Sequence, residues 1–135
     1  MNIEYPRIRL ELTNIRRLKD EVLLLDIFLA AKKAIKFCNS QSVSELETNE
    51  METSAILFNI LIIDERFKKI STDYQSEYSA IPWNKIGGFY GRIVRGLRDT
   101  QYPELWSVVK NDLPELIELL SEIIPQKPKV DAIIV

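Results

Sequence analysis

The chain has 135 residues, 46% of them apolar and 28% charged, and a formal net charge of −2. It has no histidine and a single cysteine, which excludes Ser-His-Asp and Cys-His nucleophile systems, histidine general bases, nearly all zinc chemistry and any disulfide within the chain. Four glycines and six prolines allow few tight turns, so a many-stranded sandwich or barrel is not expected, and the composition points to one helical domain.

The first long helix is predicted from about Leu10 to Phe37. Leu18, Val22, Leu25 and Leu29 recur at spacings of four, three and four, and Leu24, Ile27, Phe28 and Ala31 widen that face. Asn39-Ser40-Gln41-Ser42 ends it. A second helix is predicted from Ser44 to Ser71 on the row Ile56, Ile60, Ile63, Phe67 and Ile70. Its acidic start (Glu45, Glu47, Glu50, Glu52) and basic end (Arg66, Lys68, Lys69) complement the helix dipole. Thr72 to Ala80 reads as a polar connection. Pro82 then occupies a first helical position, and Ile86, Phe89, Ile93 and Leu97 form the row of a third helix that contains Gly87, Gly88, Gly91 and Gly96. Glycine costs about 1 kcal/mol per helical site relative to alanine, so four together call for a packing or functional reason. Pro103 starts a fourth helix running to about Ile124, which Pro114 should kink or split. The tail PQKPKVDAIIV is expected to be extended. The organisation is one domain: an N-terminal extension over 1–17, a bundle of four main helices over 18–124, and a C-terminal tail over 125–135.

With 18 basic against 20 acidic residues, any contact with nucleic acid must be local. The N-terminus lacks the pattern of a signal peptide, and the longest apolar run, Val22 to Ala31, is about half a membrane span and contains Asp26. A cytoplasmic protein with no membrane contact is expected, and no cofactor or metal.

Carboxylates, arginines, tyrosines and hydroxyls remain for chemistry. Asp64 and Glu65 are adjacent on a helix and point about 100° apart, so they cannot clasp one ion and read as a solvated pair. Asp26 reads as a structural carboxylate paired with an arginine or a backbone donor, the alternative being a cleft residue. Gly87-Gly88 with Gly91 lacks the lysine and Ser/Thr of a phosphate loop. Lys85, Arg92, Arg95 and Arg98 make a basic stripe that could position phosphates, or be a solvated face paired to acidic helices. Cys38 has no base nearby in sequence, and Trp83 and Trp106 read as caps on the core.

Residues 81 to 116, IPWNKIGGFYGRIVRGLRDTQYPELWSVVKNDLPEL, resemble the HepT-like group of the HEPN superfamily, helical ribonuclease toxins of toxin–antitoxin pairs. Ile81-Pro82-Trp83, Gly88, Trp106 and Asp112-Leu113-Pro114-Glu115-Leu116 match that group's framework in order and without a gap. Upstream, Leu25-Asp26-Ile27 and Glu65 match more weakly, and the likeness covers about residues 18 to 124. The resemblance implies an all-α, up-and-down bundle, a homodimer with motif helices near a two-fold axis, a minimal nucleotidyltransferase as antitoxin partner, and RNA as ligand. It also implies a ribonuclease motif, Arg-x-x-x-x-His-x-Tyr with Asn after the Arg. Carried over position by position, that motif falls on Tyr90, Gly91, Arg95 and Leu97, so each motif residue is replaced. Tyr90 cannot hold a positive charge, and Arg95 cannot shuttle protons near neutral pH. The expectation is a non-catalytic binding or assembly protein. Two alternatives stand beside it: a divergent ribonuclease using Arg92, Arg95 and Tyr90 or Tyr102, or an RNA or nucleotide binder working through Arg92, Arg95, Arg98 and Lys85. Asp26, Glu65 and Tyr102 are the candidate cleft residues.

Overall fold

The computed structural model describes residues 4–95 and 98–124, with side chains from 15 to 95 and from 100 to 124. Leu97, the side chain of Arg98 and the tail from 125 onward lie outside the described residues. All regular structure among them is helical: α1 (Glu4–Phe37), α2 (Val43–Thr48), α3 (Glu50–Lys68), α4 (Thr72–Glu77), a 3₁₀ turn (Trp83–Lys85), α5 (Phe89–Arg95), α6 (Arg98–Ser107), a π turn (Val108–Asp112) and α7 (Leu113–Ser121). This is an up-and-down bundle. The four main layers are α1, α3, the α5–α6 pair, and the π turn with α7.

The long antiparallel pair α1–α3 is tied at both ends by side chains that satisfy helix termini. At one end Glu52 on α3 accepts the Ser40 N–H at 2.7 Å and the Ser40 hydroxyl at 2.8 Å. At the other, the buried carboxylate of Asp20 on α1 accepts the Ser71 N–H at 2.9 Å and the Ser71 hydroxyl at 2.7 Å. Ser71 in turn accepts from the Tyr74 N–H at 3.1 Å, capping α4. Thr72 to Ala80 is therefore not a plain connection but contains a short capped helix. Asn49 breaks the predicted second helix in two, ending α2 and accepting the Glu52 N–H at 3.0 Å to start α3.

The core forms where α1 offers Leu24, Ile27, Ala31 and Ala34 to Ile56, Ile60 and Ile63 of α3 and to Leu113, Leu116 and Leu120 of α7, all buried. Each such isoleucine or leucine contributes about 1.5–3 kcal/mol by leaving water. Val22 and Leu29 of the predicted α1 row are exposed instead. Alanines line the inner face because they let the α3 and α7 layers close on α1.

Pro103 departs from expectation, whereas Pro114 breaks the last helix as expected. Pro103 lies inside α6 rather than at its start. Pro114 distorts the last helix through the turn before it: Leu113 donates its N–H to the Val108 carbonyl, five residues back, and the segment runs on through a π turn. A residue without an N–H, whose ring crowds the carbonyl four back, favours such a widened turn.

Candidate functional site

The predicted third helix does not begin at Pro82. Trp83–Lys85 makes one 3₁₀ turn, Gly87 and Gly88 then take φ of +92° and +72°, and α5 starts only at Phe89. Two of the glycines thus serve a left-handed loop, not a helix interior. At Gly87 a Cβ would also lie 2.8 Å from the Phe67 ring.

Asp64 fixes the start of α5. Its carboxylate, projecting from α3, accepts the Phe89 N–H at 3.2 Å and the Tyr90 N–H at 2.8 Å. These are the first two donors of the helix, which have no intrahelical partner. Asp64 is buried, not half of a solvated pair. Burial pushes its carboxyl above the usual value, with the two backbone donors opposing that shift. Glu65 does point elsewhere. It is exposed and pairs with Arg66 at 3.4 Å and Lys69 at 3.6 Å.

Tyr90 is half-buried against the core through its ring, five residues ahead of the exposed Arg95. Arg95 donates from Nε to the Gly91 carbonyl at 3.0 Å. Arg92, between them, is committed: it ion-pairs with Glu104 on α6 and with Asp112 in the π turn, and lies 5.6 Å from the centre of the Phe89 ring. Burial alone would weaken the cation, but the hydrogen bonds and charges of Asp112 and Glu104 hold it more firmly protonated than a free arginine. Arg92 thus pins α5 to the end of the bundle. That is the pairing to acidic elements which the stripe offered as its alternative.

Lys85 and Arg92 do converge. They line an open cleft of about 390 Å³ between the 3₁₀ turn, α5 and α7, together with Asn84, Phe89, Asp112 and Glu115. The lining carries both signs of charge. Asp26, Glu65 and Tyr102 do not line it. Asp26 instead pairs with Arg66 across the α1–α3 seam at 3.2 Å, the structural role read for it, and Tyr102 packs half-buried on the core. Trp83 and Trp106 both pack on the core as well. Trp83 donates Nε1–H to the Tyr78 carbonyl at 2.9 Å, and Lys110 lies 4.7 Å from the Trp106 ring centre.

A pairing invisible in sequence joins Cys38 to Glu52. Burial pushes the thiol up from its ordinary value, with Lys110 opposing the shift and the neighbouring Glu52 carboxylate adding to it. Among the described residues no group of three Cys, Asp or Glu side chains could hold a metal ion, and no helix is long and apolar enough to cross a membrane.

With this geometry in place, residues 27–123 match the family model for ribonuclease HepT-like proteins. The chain belongs to the HepT-like family. It is 27% identical over 93 residues to "Putative RNase MJ1380" of Methanocaldococcus jannaschii, covering 69% of this chain and 85% of the relative. Against "Putative RNase MJ0127" of the same organism it is 25% identical over 101 residues, covering 75% and 84%. Against "Putative RNase TTE0752" of Caldanaerobacter subterraneus subsp. tengcongensis it is 27% identical over 77 residues, covering 57% and 68%. No solved structure matches. The match includes α5, its anchor Asp64 and both carboxylates that hold Arg92. Sequence reasoning missed Asp64 because the donors it serves lie 25 residues away. The signal that could have found it is the glycine pair, which ends one turn and forces a new helix start needing a cap.

Proposed function

We propose that this HepT-like protein binds and assembles without cleaving RNA, as the partner of a minimal nucleotidyltransferase. One observation carries the reading: of the positions onto which the family motif falls, Tyr90, Gly91 and Arg95 on or beside the exposed face of α5 include no group that exchanges protons near pH 7. Arg92, the nearest other cation, is held by two carboxylates and is not spare charge for a phosphodiester. Arg95 and Lys85 are exposed and would supply the remaining phosphate contacts.

The names of the relatives favour a second reading, a divergent ribonuclease in which Arg95, Arg92 and Tyr90 or Tyr102 do the chemistry. Incubating the pure protein with a mixed RNA substrate separates the two. The expected result is no cleavage, with RNA binding that weakens as salt rises and weakens further in Arg95→Ala and Lys85→Ala. Cleavage that Arg92→Ala and Arg95→Ala abolish would establish the second reading. The nucleotidyltransferase is tested apart from RNA, by co-purification of the two proteins from one expression strain.

A further inference from the structure

Two charges of opposite sign in the cleft beside α5 are left unused. Lys85 on the 3₁₀ turn and Glu115 in the first turn of α7 both line it and are exposed. Among the described residues neither makes a salt bridge. One charge stands on the 3₁₀ wall and the other on the α7 wall, with an apolar floor between them. Phe89 and Leu116 of that floor are 2% and 3% exposed, and Leu119 is half-buried.

Arg92 adds a flat surface. Glu104 and Asp112 hold its guanidinium, which lies 5.6 Å from the centre of the Phe89 ring, yet 45% of the side chain stays exposed. A planar group held at its edge and partly open to solvent is a stacking platform, of the kind on which unstacked RNA bases lie. At about 390 Å³ the cleft is at the small end of the roughly 300–1,000 Å³ of small-molecule sites, which suits a single nucleotide.

The α7 wall selects the base. A carboxylate is best satisfied by two parallel N–H donors. Among the four RNA bases only guanine presents two adjacent donors, N1–H and N2–H, on its Watson–Crick edge. Adenine and cytosine set an acceptor nitrogen beside the amino group, and uracil flanks its N–H with two carbonyls. Each of these would turn a repelling lone pair toward Glu115. On the opposite wall the Lys85 ammonium takes the phosphate of the same nucleotide.

We propose that this cleft is a guanine-selective nucleotide site. Glu115 reads the N1–H and N2–H edge, Arg92 offers the plane on which the ring stacks, and Lys85 holds the phosphate. This rests on the reading that the protein binds RNA, and whether RNA is cut does not enter. A guanosine within a strand and free GMP carry the same groups, so both serve as probes.

Fluorescence anisotropy on the pure protein compares a short labelled oligouridylate with the same strand carrying one central guanosine. The guanosine strand should bind about tenfold more tightly. Inosine, which lacks the N2 amino group, or adenosine at that position should remove the gain. Glu115→Gln should remove it too, with an unchanged circular dichroism spectrum and with oligouridylate bound no more weakly, since it takes away only a negative charge. Lys85→Ala should weaken both strands alike. GMP should compete with the guanosine strand, and AMP should not. Equal binding of the two strands by the parent would overturn the proposal and leave the RNA reading standing. A guanosine preference that survives Glu115→Gln, or that inosine retains in full, would overturn the assignment of Glu115 and with it the site. Binding of GMP, but of neither strand, would keep the guanine site and overturn the RNA reading. Binding of none of these probes would overturn both.

Discussion

Glu52 shows how one side chain can join a loop to a helix and make the join depend on pH. It is buried at the first turn of α3, where burial by itself favours the neutral acid. The N–H and hydroxyl of Ser40, with help from the Asn39 N–H, outweigh that and hold its carboxyl below the ordinary glutamate value. A depressed pKa contributes stability that is present above the unfolded value of about 4.5 and is lost as pH falls through the folded one. Glu52→Gln should therefore cost about 1–3 kcal/mol at pH 7, where the parent keeps charge-assisted bonds to a buried N–H. The gap between parent and variant should close as pH drops below 4, read from urea midpoints at pH 7 and pH 3. A gap that does not change with pH would mean the carboxylate charge contributes nothing to the join. Asp64 has the opposite sign, since burial raises its carboxyl: its charged form is a cost that grows as pH rises past the ordinary aspartate value.

The loop that feeds α5 makes an element-scale prediction. Gly87 and Gly88 both sit at positive φ, but only Gly87 faces a neighbour, the Phe67 ring. A left-handed alanine costs about 1–2 kcal/mol at either position. At Gly87 the added Cβ, 2.8 Å from Cδ1 of Phe67, must also displace a ring packed on the core. Gly87→Ala should thus destabilise by about 2–3 kcal/mol and Gly88→Ala by about 1, measured by chemical denaturation. Equal losses would show that the ring moves aside freely.

The same loop shows what was legible at this scale. Ile81-Pro82-Trp83 marks the right place in the chain, yet local spacing runs one helix from Pro82 through the glycines, because Ile86, Phe89 and Ile93 keep a helical period across a loop. Likewise α1 reads as one broad apolar face led by Leu18, Val22, Leu25 and Leu29 and only widened by Leu24, Ile27, Phe28 and Ala31. Packing reverses the choice, since close approach of three layers needs the small residues inside. The Asp64 cap and the Cys38–Glu52 contact join residues distant in sequence, and no window of local reading contains both members.

At the scale of the whole molecule the bundle was legible, because long periodic segments and a family framework spread over four layers agree with one another. For the chemistry of its site the sequence offers an expectation, the replaced motif at Tyr90, Gly91, Arg95 and Leu97, and restoring that motif tests it. The change is Tyr90→Arg, Gly91→Asn, Arg95→His and Leu97→Tyr in one chain. A Cβ at Gly91 would meet nothing nearer than the Arg95 side chain at 3.8 Å, itself replaced in the variant, so that position should accept asparagine. Arginine at 90 can keep its stem over the core and its head in water, and the N–H of residue 90 still donates to Asp64. The Arg92 pairs to Glu104 and Asp112 are untouched and continue to pin α5. The variant should fold with a melting temperature near that of the parent and should cleave a mixed RNA substrate that the parent leaves intact. A group able to exchange protons at neutral pH is typically worth about 10²–10⁴-fold in rate, enough to see against an inactive parent. A folded variant that remains inactive would show that the cleft beside α5 has been rebuilt as well as the motif, with binding as the surviving role. Equal cleavage by parent and variant would place the chemistry away from these four positions.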